Sequence, residues 1–142
     1  MEIFYDTRKD IPCQPLYELF LAVGWADEKS TTPEMIRHFN IGFLHSTLVF
    51  SAWQDEKLVG CIRVLSDQIF RSVIYDLAVH PDYQGLGIGK TLVEKCMACY
   101  PRSEWLVETE NAQGFYEKIG FQKNPNHFLH IPCPLFPTRE GK

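Results

Sequence analysis

The chain has 142 residues, 45% hydrophobic and 23% charged, with 14 basic against 18 acidic side chains and a net charge of −4. That composition fits one globular domain over residues 1–142, able to bury about 68–70% of its unfolded surface, and excludes a disordered or fibrous chain. No Lys/Arg cluster marks a nucleic-acid face, no apolar run reaches the ~18 residues of a membrane span, and the start carries no secretory pattern, so the expectation is a cytoplasmic protein without nucleic-acid or membrane partners.

Ile3-Phe4-Tyr5 is short and apolar, a candidate first strand. Leu16, Leu19, Phe20 and Val23 recur at helical spacing after Pro15, and Gly24 is placed to stop that helix. A second helix is predicted over about residues 33–40, entered either by a capping box (Thr31 with Glu34) or by Thr32 as N-cap with Pro33 at the first helical position. Residues 47–53, 58–65 and 70–79 read as strands joined by the short turns Gln54-Asp55-Glu56-Lys57 and Ser66-Asp67-Gln68, an antiparallel meander. Beyond Pro81 a glycine-rich stretch leads into a helix whose Ile88, Leu92, Val93, Cys96, Met97 and Tyr100 form one apolar stripe. Residues 105–109 are again strand-like. A short helix carries Ala112, Phe115, Tyr116 and Ile119 and closes on Gly120, and last strands are expected at 121–123 and 128–131. The whole is an α+β domain: a mostly antiparallel central sheet of about six or seven strands flanked by about four helices.

Five cysteines without a stapling need read as free thiols. Cys96-x-x-Cys99 has no second pair at zinc-finger spacing, and His127 and His130 point to opposite faces of an expected strand, so no metal is expected.

The informative stretch is Val79-His80-Pro81-Asp82-Tyr83-Gln84-Gly85-Leu86-Gly87-Ile88-Gly89-Lys90-Thr91. A strand end, a turn and three alternate glycines lead into the first turn of a helix. Helix N-termini offer unpaired amides and partial positive charge, and glycines let an anion approach the backbone, so the segment reads as a phosphate cradle. The P-loop pattern G-x-x-x-x-G-K-[ST] fails because Gln84 stands at its opening glycine, and G-x-G-x-x-G fails on spacing and on its antiparallel context.

Gln84, Gly87 and Gly89 instead match Q/R-x-x-G-x-G/A, and there the chain resembles the GNAT superfamily of acyl-CoA-dependent N-acyltransferases. Asp76-Leu77-Ala78-Val79-His80-Pro81 is similar to the strand that leads into that family's pyrophosphate loop. Asn111, with Phe115-Tyr116-Glu117-Lys118-Ile119-Gly120-Phe121, is similar to its second signature. The resemblance implies acetyl-CoA as cosubstrate, no metal, and a cofactor site of Leu77, Ala78, Val79, Gln84, Gly85, Leu86, Gly87, Ile88, Gly89, Lys90, Asn111 and Tyr116. The pyrophosphate would meet the amides of residues 84–89, and the pantetheine would run beside Leu77 and Val79. The expected reaction moves an acetyl group to a primary amine of a small molecule or a protein, by direct attack in a ternary complex. A non-catalytic acyl-CoA sensor or partner module is the alternative, and a homodimer is a family-level expectation.

Two protons must move in such a transfer, one off the incoming ammonium and one onto the departing thiolate. Tyr116, at the family's matching position, is the candidate general acid, since a phenol of pKa about 10 can donate to a thiolate of about 8.5. Simple alternation puts Val73, Tyr75, Leu77 and Val79 on one face of their strand and Ile74, Asp76 and Ala78 on the other. An acid in an apolar strand is costly unless paired, which makes Asp76 the first candidate base and Glu108, on the adjacent strand, the second. Either carboxylate read as a structural or substrate-orienting group stays open, as does deprotonation through water. A ping-pong route through Cys61 lacks a neighbouring base and is not preferred. Arg63 and Asp67, around the hairpin, either orient substrate or pair with each other.

Overall fold

Thr32 accepts a hydrogen bond from the Met35 amide at 3.2 Å, and Pro33 takes the first helical position, so the second of the two N-cap readings is the one formed. A computed structural model describes residues 1–124 and 129–132 of the chain. In order the elements are β1 (Phe4–Asp6), α1 (Cys13–Ala22), α2 (Pro33–Arg37), α3 (Ile41–Leu44), β2 (Leu48–Gln54), β3 (Lys57–Ser66), β4 (Arg71–Val79), a 3-10 turn (Pro81–Tyr83), α4 (Ile88–Cys99), β5 (Glu104–Val107) and α5 (Gln113–Ile119). α1 closes where Gly24 and Trp25 return their amides to Leu21 and Phe20, with the Trp25 ring edge-on to Phe20 at 5.2 Å. No helix among the described residues is long and apolar enough to cross a membrane.

The fold is an α+β arrangement around one open mixed sheet in the order β1-β2-β3-β4-β5. The first three pairings are antiparallel and β4–β5 is parallel, because α4 is the crossover between those two strands. The sheet has five strands among the described residues, not the six or seven expected. The segment expected as a strand at 121–123 forms none. Phe121 turns its amide back to the Tyr116 carbonyl at 3.1 Å and sets its ring against Tyr116, so it caps α5 instead of entering a ladder. Residues 129–131 carry no strand either, while Phe128 lies outside the described residues.

Helices cover both faces. Ile11, Leu16, Leu19 and Phe43 from the α1–α3 side pack on Val49, Leu58, Cys61 and Ala78. On the opposite face Ile88, Leu92, Val93 and Cys96 of α4, with Tyr116 of α5, pack on Ala52, Val59, Ile62, Val64 and Ile74. Leu92 and Val93 are fully buried, and each such side chain stabilises the fold by about 1.5–3 kcal/mol. The predicted α4 stripe therefore holds at its centre, while Met97 and Tyr100 are only half-buried.

Candidate active site

β4 changes character halfway along. Arg71 to Ile74 pair with β5 from Glu104 to Val107, and the pairing stops there. Across β3, Arg63 faces Asp76 and Val64 faces Ile74, which leaves Tyr75 with no opposite residue. This is a β-bulge, and a bulge bends its strand and disrupts the ladder. Beyond it, β4 keeps its β3 partners but leaves β5, so the sheet splits.

The bulge also overturns simple alternation. Ile74 belongs to the α4-side core and Ala78 to the α1-side core, although four residues of regular strand would keep them on one face. Past the bulge, Leu77 and Val79 pack toward α4. The extra residue puts Tyr75 out in solvent at 54% exposure.

The loop after β4 is tied down at several points. Tyr83 donates its hydroxyl to Gln54 Oε1, stands edge-on to the His80 ring and lies under Lys57 Nζ at 5.2 Å. His80 Nδ1 accepts the Asp82 amide at 3.1 Å. The Gln84 side chain donates to the Val79 carbonyl at 3.0 Å, and its own amide donates to Pro81. Gln84 thus fastens the loop to the strand end. The bond of Tyr83 to Gln54, 29 positions away, is not legible in the sequence, since it depends on long-range strand pairing.

Among the described residues, no hydrogen bond is donated by the amides of residues 85–90. The next one, Thr91, donates to the Gly87 carbonyl at 3.0 Å. The open run starts one residue later than the sequence places it. Gly85 and Gly87 adopt φ +80° and +86°, where an L side chain is strained, and a Cβ at either would meet nothing within 4 Å. Those two glycines face open space over the N-terminus of the 12-residue α4. Gly89 differs: a Cβ there would lie 3.3 Å from the Phe115 ring, so it serves the packing of α4 on α5. Leu86 and Lys90 are exposed and Ile88 is buried. Bare amides, glycine spacing and helix polarity suit an anion such as a pyrophosphate.

Tyr116 is 5% exposed, ringed by Phe115 and Phe121, and lines a cavity of ≈ 680 Å³ with Trp105, Val107 and Gln113. Burial pushes its phenol up to about 12, so it is protonated at neutral pH, as a free phenol is, and is a weaker acid than one. No acceptor for its hydroxyl is present among the described residues. Asn111 is exposed in the turn before α5.

The two candidate bases differ in setting. Asp76 is half-buried and accepts Arg63 Nε at 2.5 Å. Glu108 is exposed just past the end of β5; neither it nor Asp76 lines the cavity beside Tyr116, and residues 77–79 and 84–90 do not line it either. The Arg63–Asp67 pair does not form: Asp67 accepts the amides of Ile69, Phe70 and Arg71, which hold its carboxyl below the usual range. Cys61 is fully buried, and desolvation drives its thiol pKa upward, the opposite of an activated nucleophile. Cys96 is buried and Cys99 exposed on one helix, while His127 and Cys133 lie outside the described residues.

Comparison with known proteins bears on the family and the fold. Residues 45–123 match the family described as acetyltransferase (GNAT) domain. An uncharacterized N-acetyltransferase ycf52 of Pyropia yezoensis is 31% identical over 133 residues, spanning 88% of this chain and 73% of its own. A GNAT-family acetyltransferase from Streptococcus pneumoniae superposes with a TM-score of 0.75 at 24% identity, over 92% of this chain and 98% of that one. The PaiA N-acetyltransferase of Thermoplasma acidophilum, solved with coenzyme A, superposes with a TM-score of 0.62 at 19% identity, over 89% and 94%.

Proposed function

The chain belongs to the GNAT acetyltransferase family and is an acyltransferase, and we propose that it transfers the acetyl group of acetyl-CoA to a primary amine by direct attack in a ternary complex. The observation that carries the proposal is the split of β4 from β5 beside a run of unbonded loop amides. Acetyl-CoA, when bound, supplies a thioester carbonyl open to an amine, with the CoA thiol as leaving group.

The amides of residues 85–90 would hold the pyrophosphate, with Gly85 and Gly87 giving it access. The freed backbone of β4 at Leu77, Ala78 and Val79 would accompany the pantetheine, with Asn111 at the mouth and Lys90 toward the adenosine end. Tyr116 holds a proton for the departing sulfur. Asp76, or a water it orients, takes the proton lost by the ammonium, with Glu108 the second candidate. Overall an N–C bond forms, the C–S bond breaks, and one proton leaves to solvent. The chain reads as one acetyltransferase domain, with a small-molecule or protein amine as partner and a homodimer as its assembly.

Thermal melts and an amine panel read by free-thiol release test this. Acetyl-CoA at ~100 times its dissociation constant should add about 2.7 kcal/mol of stability, and ATP with magnesium none. A shift with ATP alone, or no thiol release from any amine, would contradict the proposal.

A further inference from the structure

The Arg63 side chain is held by more contacts than an ion pair needs. Its Nε donates to Asp76 Oδ2 at 2.5 Å and its Nη1 reaches Ser46 Oγ at 3.5 Å. The guanidinium lies 5.9 Å from the Phe43 ring and 5.3 Å from the Tyr75 ring, the residue the bulge displaced. Gly42 stands directly against it, since a Cβ there would come within 3.3 Å of Arg63 Cζ. α3, β3 and β4 thus converge to fix one guanidinium, which its planar fork and stacking lock in orientation. Asp76, its partner, retains 26% side-chain exposure, and among the described residues no donor is bonded to Oδ1.

We propose that Arg63 is a positioning residue: it fixes the Asp76 carboxylate on the α1–α3 side of the split sheet and leaves Oδ1 to hold the N–H of the acceptor amine. The proposal rests on the acetyl-transfer reading above. The two faces of the sheet then divide the work. Past the bulge, Leu77 and Val79 pack toward α4 and the cofactor loop, while Asp76 points to the opposite side with Arg63, Phe43 and Ser46 around it. An acceptor held by Asp76 therefore approaches from the face away from the loop. Gly42 has no side chain because the guanidinium occupies that space.

The test is steady-state kinetics of Arg63→Met, Arg63→Lys and Gly42→Ala with an accepted amine, alongside acetyl-CoA affinity by calorimetry and the melting temperature. Arg63→Met should lower kcat/KM for the amine by about 10–100-fold, through kcat as well as KM because Asp76 both holds the amine and takes its proton, with acetyl-CoA affinity unchanged. Arg63→Lys should recover part of the loss, since it keeps the charge and loses the fork. Gly42→Ala keeps Arg63 and crowds it. Helix propensity favours alanine there, so the melting temperature should hold while amine kcat/KM falls by about threefold. Wild-type amine kinetics in a folded Arg63→Met protein would overturn the proposal, and if that variant does not fold, unchanged amine kinetics in Gly42→Ala would do so. Wild-type protein that releases no thiol from any amine fails the underlying reading, by a different measurement, and this proposal with it.

Discussion

The two halves of β4 share one strand and have opposite economies of hydrogen bonding. Ser72 to Ile74 are paired on both sides, with β3 and β5, and Arg71 with β5. A hydroxyl chain pins that end, Ser66 to Ser72 to Ser103, each step 2.8 Å, with Ser72 fully buried. Past Tyr75 the strand is paired only with β3, and the loop that follows leaves six successive amides without a protein acceptor among the described residues. Helix geometry leaves the first amides of α4 unpaired, and the exposed Gly85 and Leu86 lengthen that run, so the stretch is open to an acceptor from outside the chain. Stability and activity should therefore be separable along a single strand.

The sharpest way to break that separation is at Tyr116, beside the split. Tyr116→Phe keeps the ring packing and removes the donor, and acetyl transfer should fall by about 10²–10⁴, with acetyl-CoA affinity little changed. Steady-state rates on any accepted amine check it, and wild-type turnover would return Tyr116 to a purely packing role. Next is Gly87→Val. A β-branched residue at φ +86° is strained and sits where the anion meets the amides, so calorimetry should show CoA affinity lowered at least about tenfold, or ~1.4 kcal/mol. Affinity equal to wild type would remove the loop from the site. At the pinned end, Ser72→Ala breaks the hydroxyl chain and should cost about 1–3 kcal/mol in a denaturant titration while leaving CoA affinity alone.

The smallest effect is alkaline. Burial raises the Tyr116 phenol from 10 to about 12, so the folded chain keeps a proton that the unfolded chain has lost. That contribution is complete below pH about 10 and is lost as pH rises toward about 12. Cys96, also raised to about 12 by burial, acts with the same sign. Melting temperatures at pH 9 and 11 should differ less in Tyr116→Phe than in wild type, and an equal difference would contradict the assignment.

The pinned half and the split half also differ in how far sequence reveals them. Local patterns carry most elements: Thr32-Pro33 sets a helix start, and the Ile88–Cys96 stripe sets a buried face. The glycine loop is equally local, since spacing alone distinguishes it from a P-loop. The bulge at Tyr75 is not, because it exists only as a mismatch of register between β3 and β4. With it go the reversal of faces and the pairing of Arg63 with Asp76, thirteen positions away. Asp67 pairs with its own turn because three amides lie nearer than any guanidinium. Phe121 reads as a strand residue by composition, yet the close of α5 turns its backbone to Tyr116 before a ladder can form.

Amide hydrogen exchange across β4 and its loop, with and without coenzyme A, addresses the split directly. Coenzyme A should slow exchange at residues 85–90 and in the Tyr75–Val79 half, and leave Arg71–Ile74 unchanged, since all four are paired with β5 and Ser72 to Ile74 with β3 as well. Protection confined to Arg71–Ile74, or no protection in the loop at saturating coenzyme A, would contradict the account.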